Sequence, residues 1–186
     1  MSGMKVLFLD FDGVLNTYSY RNDAFSNRHK SLAALGSEPI DDEMERLKLF
    51  YALIDPQKVG LVNEILSRTG AVVVISSSWR HVWPLEDIVK GLGRRGFRGT
   101  IIDKTPTLIG PRGDEIIAWV RGSGPLRGVR LAVPGGVISQ RGVQSFAVLD
   151  DMASAGYGIG NRFVHTNGSR GITREDVERA VRILNS

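Results

Sequence analysis

The stretch MKVLFLDFDGVLN, residues 4–16, decides the fold. Its apolar run ends abruptly at Asp10, and Gly13 permits a turn three residues later, which is typical of a buried strand that ends in a polar loop. Two further apolar runs have the same character, AVVVI at residues 71–75 and SFAVL at residues 145–149. Short runs that are apolar on both faces and rich in β-branched residues are typical of a parallel sheet.

Helical patterns alternate with these strands. In residues 57–69 the apolar side chains recur at helical spacing, and Gly70 follows as the stop. Thr173 and Asp176 have the spacing of a capping box before the last helix. The remaining candidates are helices at residues 41–51, 85–95 and 114–121, and strands at residues 100–102 and 162–165. Strands that alternate with helices predict an α/β fold with a mostly parallel sheet and helices on both faces.

The length of 186 residues suits one domain, which we place at residues 1–186. Residues 17–56 form a small insertion, or cap, between the first two of these strands, 4–9 and 71–75. Residues 125–141 contain two apolar pieces on either side of Pro134 and two glycines, which predicts a β-hairpin.

Composition excludes several classes of protein. The absence of cysteine excludes disulfides and thiolate metal sites. No apolar run approaches the roughly 18 residues that a membrane span needs, and the start lacks a secretory pattern, so we expect a cytoplasmic protein without a membrane partner. The net charge is +4, with 18 Arg and 6 Lys, which fits a phosphorylated or nucleic-acid partner as well as it fits solvated surface arginines.

Polar side chains follow three of the predicted strands. Asp10 and Asp12 follow the first strand, residues 76–78 (Ser-Ser-Ser) follow the second, and Asp150 and Asp151 follow SFAVL. If these strands are parallel neighbours, their carboxyl ends meet in one crevice, where open α/β sheets bind ligands. Clustered carboxylates repel one another unless a cation lies among them, and hard oxygen ligands in this number predict Mg²⁺.

Three of these motifs resemble those of a known superfamily. LDFDGVLN at residues 9–16, VVVISSSWR at residues 72–80 and VLDD at residues 148–151 resemble the first, second and fourth motifs of the haloacid dehalogenase (HAD) superfamily of Asp-x-Asp phosphohydrolases. The Ser-Ser-Trp-Arg string, residues 105–116 and the Gly-Ile-Thr before the last helix resemble a narrower branch, the phosphatase-like domain of Swiss Army Knife RNA repair proteins. The resemblance implies a Rossmann-like fold and phosphomonoesterase activity.

The residue types of the first motif suit phosphoryl transfer even without the resemblance. The Asp10 carboxylate can attack a phosphoryl group once a metal neutralises the charges of both, and Asp12 can protonate the leaving oxygen and then activate water. Gly13 lets the backbone turn close to the phosphate. The resemblance implies the same roles and adds the backbone carbonyl of Asp12 as a metal ligand. Asp10 and Asp12, with Asp150 or Asp151 or both, are the expected metal site.

The second motif offers three adjacent serines. One of them should donate a hydrogen bond to the transferring phosphoryl oxygens. Relatives carry this hydroxyl two residues before a Trp, which favours Ser77 over Ser76, and we include Ser78 among the substrate contacts. Arg80 is either a contact for phosphate or nucleic acid or an ordinary surface Arg.

The third motif of the superfamily is a cation that neutralises the carboxylates and the phosphoryl oxygens. Arg112 precedes the helix DEIIAWV and matches the Arg-Gly-Asp-Glu-Ile string of the narrower branch. Lys104 follows the third strand and is the alternative, with a further possible role in substrate binding. We favour Arg112 because of its place before a helix.

These observations predict a Mg²⁺-dependent phosphomonoester hydrolase that forms an aspartyl-phosphate. A cap of about 40 residues leaves the site open, which favours large substrates such as nucleic-acid ends, with nucleotides as the other candidate class. Tyr18, Tyr20, Arg21 and Arg28 lie in the cap, where they could contact such a substrate. The alternative is a non-catalytic or weakly active module that binds phosphate or nucleic acid. The sequence indicates no protein partner.

Overall fold

The computed structural model describes residues 3–20, 52–123, 131–133, 136–138 and 142–186. The predicted helix at 41–51, together with Arg21 and Arg28, lies outside the described residues. The strands are β1 (Met4–Leu9), β2 (Val72–Ile75), β3 (Ile101–Lys104), β4 (Leu131–Val133), β5 (Gly136–Ile138), β6 (Val143–Asp150) and β7 (Phe163–His165). The helices are α1 (Pro56–Thr69), α2 (Leu85–Arg94), α3 (Arg112–Ala118) and α4 (Arg174–Leu184).

Five strands form one sheet in the order β3-β2-β1-β6-β7, and every neighbouring pair is parallel. The predicted α/β fold with a parallel sheet is therefore confirmed. The chain adds β2 and β3 on one side of β1 and then returns to add β6 and β7 on the other. This reversal beside β1 opens a crevice at the carboxyl edge of the sheet, and the loops after β1, β2 and β6 line it.

The core lies on both faces of this sheet. Along β1, Leu7 and Leu9 face the layer that contains α1, α2 and α4, whereas Val6 and Phe8 face α3. All four side chains are fully buried. Burial on both faces explains why the strands read as continuous apolar runs in the sequence.

Capping residues set the ends of two helices, and the sequence predicts the Gly70 stop and the Thr173 capping box but not the cap at Asp55. The Asp55 side chain accepts a hydrogen bond from the backbone N–H of Gln57 at the start of α1, and Gly70 ends that helix at φ 69°. Thr173 and Asp176 form a capping box at the start of α4. These caps satisfy backbone groups that the first and last turns of a helix leave unpaired.

Helix α3 and strand β3 have bounds that differ clearly from the sequence prediction. Helix α3 begins at Arg112, so Arg112 and Gly113 lie in its first turn instead of before it, because Pro111 is extended and serves as the N-cap. The helix ends early at Ala118, and a looser turn follows over Trp119–Ser123, where Gly122 has a φ of 82°. Strand β3 runs to Lys104, two residues beyond the predicted end.

The segment predicted as a hairpin contains a separate two-stranded sheet, in which β4 and β5 pair antiparallel. In the described part of the chain, no helix has both the length and the apolar character needed to cross a membrane.

Candidate active site

Three carboxylates meet at the carboxyl edge of the sheet. Asp10 follows β1, Asp150 is the last residue of β6, and Asp151 comes next. One carboxylate oxygen from each lies within 4.8 Å of the other two. Asp10 and Asp150 are 2% and 0% exposed, so two carboxyl groups are buried side by side. We call these three residues the carboxylate cluster.

The electrostatics of the carboxylate cluster favour a bound cation. Burial raises the pKa of Asp10 above the usual carboxyl range, although the Arg112 charge and the Ser77 hydroxyl lower it. Burial and the Asp10 charge raise the pKa of Asp150 to about 7, although Arg112 lowers it. Burial and the Asp10 charge also raise the pKa of Asp151. All three groups would therefore ionise more readily with additional positive charge nearby.

Arg112 is the cation that the structure brings to this cluster. Its Nη1 lies 2.8 Å from Oδ2 of Asp10 and 2.6 Å from Oδ2 of Asp150. Gly113 lets α3 come this close, because a Cβ there would lie 2.2 Å from the carbonyl oxygen of Tyr157. Lys104 is placed elsewhere: its Nζ donates to the backbone carbonyl of Arg80 at 3.1 Å.

The residues present fit a hard divalent cation. Among the described residues, one guanidinium forms ion pairs with this cluster of three carboxylates, which leaves these groups with excess negative charge. Oδ1 of Asp10 is buried and accepts no hydrogen bond from the described residues, which leaves an oxygen ligand available. Carboxylate oxygens in this arrangement are the ligands that Mg²⁺ prefers.

Gly13 shapes the same site from the β1 loop. Its φ is 69°, and a Cβ would lie 2.1 Å from Oδ2 of Asp151. The positive φ confirms the prediction that Gly13 permits a turn here. The structure adds a second reason for a glycine at this position. Glycine leaves room for the Asp151 carboxylate, which a side chain would displace.

The side chain of Asp12 lies outside the carboxylate cluster. Its Oδ2 accepts a hydrogen bond from Nε1 of Trp79 at 2.8 Å, and its Oδ1 accepts one from Nδ2 of Asn16 at 3.1 Å. Asp12 is partly exposed, so a leaving group or a water molecule can reach it. Metal binding by its backbone carbonyl stays a prediction.

The structure separates the three serines. Ser76 and Ser77 are fully buried, whereas Ser78 is exposed and begins a short 3₁₀ turn, Ser78–His81. The Ser77 hydroxyl lies beside Asp10, where it lowers the pKa of that carboxyl, and it accepts a hydrogen bond from the backbone N–H of Trp79. The hydroxyl of Ser76 has no hydrogen-bond partner among the described residues. Ser77 is thus the serine that adjoins the nucleophile candidate.

Arg80 is neither of the two things that the sequence predicts, a contact for phosphate or nucleic acid or a surface residue. The residue is 4% exposed, and Nη1 donates to the carbonyl oxygens of Ser76 at 2.7 Å and Ser77 at 2.9 Å. Nε donates to the carbonyl of Thr105, and Nη2 forms an ion pair with Glu115. Arg80 therefore uses its donors inside the protein, where they hold the loop that contains Ser76 and Ser77.

Several contributors to the site were missing from the sequence interpretation. Asn16 is fully buried and donates to Oδ1 of Asp12, and Nε1 of Trp79 donates to Oδ2 of the same carboxylate. Thr166 donates from its hydroxyl to the carbonyl of Gly13 at 2.9 Å. The Gly-Ile-Thr string also supports this loop, since the backbone N–H of Ile172 donates to the carbonyl of Val14. The sequence feature that could have indicated a site role for Asn16 and Trp79 is their position within the first and second motifs, respectively.

The parallel sheet, the aspartates at its central strand ends, the buried serine and the arginine at the start of α3 together define the HAD class of phosphohydrolase folds. A family model described as the HAD domain in Swiss Army Knife RNA repair proteins matches residues 6–177. The chain belongs to this family. No curated protein and no solved structure matched the chain.

Proposed function

We propose that the protein is a Mg²⁺-dependent phosphomonoesterase that forms a phosphoryl intermediate on Asp10, with nucleic-acid terminal phosphates or nucleotides as its substrates. Membership of a HAD family supports a phosphohydrolase. The observation that carries the proposal is the setting of Asp10. This buried carboxylate has one oxygen held by Arg112 and the other without a hydrogen-bond partner among the described residues.

Asp10 is the nucleophile in this proposal. Its carboxylate oxygen forms a bond to phosphorus while the bond between phosphorus and the leaving oxygen breaks, and the electron pair of that bond goes to the leaving oxygen. Asp150 and Asp151 with Asp10 would hold Mg²⁺, which when bound supplies positive charge to the phosphoryl oxygens and the nucleophile.

Asp12 moves the protons. It gives a proton to the leaving oxygen in the first step and takes one from water in the second, when the water oxygen bonds to phosphorus and Asp10 is released. The two steps together convert a phosphomonoester and water into an alcohol and inorganic phosphate. The position of Asp12 at the partly exposed rim suits both transfers.

Arg112 and Ser77 stabilise the transferring group. Arg112 offers a guanidinium fixed between two carboxylates, and Ser77 offers a hydroxyl beside Asp10. Donors that are fixed before the reaction lower the barrier more than mobile ones, because they do not need to reorganise as charge develops. Ser77 is fully buried and the Arg112 side chain is only 11% exposed, and such a low-dielectric setting weakens charge screening and strengthens this effect.

An exposed aromatic ring at the rim supports the proposed substrate class. Tyr18 is 60% exposed and follows the first motif. A Cβ built on Gly168 would meet both Oδ2 of Asp151 and the Tyr18 ring, at 2.7 Å and 3.3 Å, so the ring lies close to the carboxylate cluster. A nucleobase can stack on such a ring because every base presents a π face.

The test is phosphate release by the whole chain with and without Mg²⁺. The substrates are 4-nitrophenyl phosphate, mononucleotides, and oligonucleotides with a 3′- or 5′-phosphate, and the matched variant is Asp10→Asn. We expect Mg²⁺-dependent release that disappears in the variant. Release that persists in Asp10→Asn would contradict the assigned nucleophile. No release by folded wild-type protein would favour the phosphate-binding module instead.

A further inference from the structure

We infer that Trp79 is a positioning residue for Asp12: its indole N–H sets the orientation in which the Asp12 carboxylate moves protons. This inference rests on the proposed function. It assigns the indole a role in each proton transfer, beyond the core packing expected of a partly buried Trp.

Side-chain donors of Trp79 and Asn16 approach the Asp12 carboxylate, one at each oxygen. Nε1 of Trp79 lies 2.8 Å from Oδ2, and Nδ2 of Asn16 lies 3.1 Å from Oδ1. The indole N–H can donate a hydrogen bond but cannot accept one, so it always donates to Asp12 and cannot take up the proton that Asp12 transfers. Each hydrogen bond restrains rotation of the carboxylate, so removal of the indole donor removes one of the restraints on its plane.

Trp79 is itself held firmly. Its ring meets the ring of Phe11 edge to face, with centroids 5.5 Å apart and an interplanar angle of 86°. Phe11 is fully buried, and it is the residue between Asp10 and Asp12. The backbone N–H of Trp79 donates to the hydroxyl of Ser77. Trp79 therefore contacts Asp12 and Phe11 of the first motif through its indole ring and Ser77 of the second motif through its backbone.

The arrangement has a chemical consequence that depends on the leaving group. An alkoxide leaves only if it takes a proton, so a misplaced Asp12 slows the first step with an alkyl phosphate. A nitrophenolate leaves without a proton, so a misplaced Asp12 should leave the rate of the first step with 4-nitrophenyl phosphate nearly unchanged. Loss of core packing would slow both substrates alike.

The experiment is a single-turnover comparison with enzyme in excess and Mg²⁺ present, in which release of the leaving alcohol or phenol reports the first step. The substrates are 4-nitrophenyl phosphate and ethyl phosphate, and the variant is Trp79→Phe, which keeps an aromatic ring and removes the N–H. We expect the rate with ethyl phosphate to fall about 100-fold, the cost of a reacting group misplaced by roughly 1 Å. The rate with 4-nitrophenyl phosphate should stay within about threefold of wild type, because protonation contributes little to that step.

Three comparisons keep the result interpretable. Asp12→Asn should show the same selectivity between the two substrates, because it removes the proton donor itself. Trp83→Phe, at a partly buried Trp near the same turn, should leave both rates near wild type. If Trp79→Phe fails to fold, Trp79→3-benzothienylalanine keeps the bicyclic shape and removes only the N–H.

The possible failures are distinct. Equal slowing of both substrates in folded Trp79→Phe, or no slowing of either, overturns the positioning role while Asp10 keeps its function. Wild-type protein that releases neither product, or whose release persists in Asp10→Asn, overturns the proposed function and with it the inference.

Discussion

Arg80 and Glu115 form a buried ion pair that joins the loop after β2 to helix α3. Their side chains are only 3% and 9% exposed. Burial lowers the pKa of Arg80, and the Glu115 charge opposes this effect. Glu115 lies one turn beyond Arg112 on α3, and Arg80 binds the carbonyls of Ser76 and Ser77. The Arg80–Glu115 pair therefore fixes the position of Arg112 relative to Ser76 and Ser77 of the candidate site.

We expect Glu115→Ala to lower the free energy of unfolding by about 3–5 kcal/mol, because it leaves the buried Arg80 charge without its partner. The backbone N–H of Leu108, which donates to Oε1 of Glu115, also loses its acceptor. Urea denaturation followed by circular dichroism measures the change. Glu178→Ala is the matched control, since it removes the exposed partner of Arg68 and should change stability little. Equal losses in the two variants would contradict the structural role of the buried pair.

The sequence predicts most of the sheet because its signals are local. Strands that are buried on both faces read as apolar runs, and the aspartates that end β1 and β6 follow from the same pattern. The capping box at Thr173 needs only four consecutive residues to be recognised. Such features depend on neighbours in the chain, so one sequence is enough to find them.

The remaining site features depend on contacts between distant segments. Arg80 reads as a candidate ligand for phosphate, yet the segment around Thr105 and the helix residue Glu115 turn it into an internal contact. The choice between Arg112 and Lys104 likewise depends on how α3 packs beside the loop that contains Tyr157. The helix boundary was predicted two residues late because the N-cap is a proline, which has no side-chain acceptor to signal it.

Arg112→Ala should reduce kcat for 4-nitrophenyl phosphate by about 100-fold or more, as the loss of one fixed donor to a transition-state oxyanion does elsewhere. The guanidinium contacts both Asp10 and Asp150. Lys104→Ala is the matched control and should keep near wild-type kcat, because its ammonium contacts the backbone of Arg80. Steady-state kinetics at saturating Mg²⁺ measure both. A larger loss in Lys104→Ala would exchange the roles of the two cations.

Mg²⁺ should raise the melting temperature of the wild-type protein, and Asp151→Asn should remove most of that rise. Saturation at about 100 times Kd corresponds to roughly 2.7 kcal/mol of added stability. Without Mg²⁺ the same variant should melt above wild type, because the raised pKa of Asp151 shows that its charge is unfavourable there. Differential scanning calorimetry measures both effects.

Asp12→Asn is the control for the metal site, since its side chain lies outside the carboxylate cluster. It should keep a Mg²⁺-induced rise close to that of wild type. A rise that survives in Asp151→Asn but is lost in Asp12→Asn would move the metal site toward Asp12.

Tyr18→Ala should raise KM for mononucleotides about tenfold, within the 1–3 kcal/mol that stacking on an aromatic side chain contributes per base. The ring is largely exposed beside Gly168, so its removal should not disturb the core. KM for ethyl phosphate should stay unchanged because that substrate has no base to stack. Tyr18→Phe keeps the ring face and should behave like wild type. A KM for ethyl phosphate that rises as much as that for mononucleotides would show that Tyr18 supports the site itself.

Asp103 predicts a pH dependence of stability away from the active site. It is buried, and its Oδ2 accepts a hydrogen bond from Nε1 of Trp119 at 2.6 Å. Burial raises the pKa of Asp103 in the folded state, although the Trp119 hydrogen bond lowers it. Its neutral form therefore stabilises the fold fully below the unfolded pKa of about 4, and this stability is lost as the pH rises through the folded pKa.

Asp103→Asn keeps an oxygen acceptor for Trp119 but cannot ionise. We expect the unfolding free energy of the variant, relative to wild type, to increase as the pH rises from about 4 toward neutrality. Urea denaturation of both proteins over this range measures the difference. A difference that stays constant with pH would show that Asp103 ionises equally easily in the folded and unfolded chains, and one that decreases would show that its charge stabilises the fold.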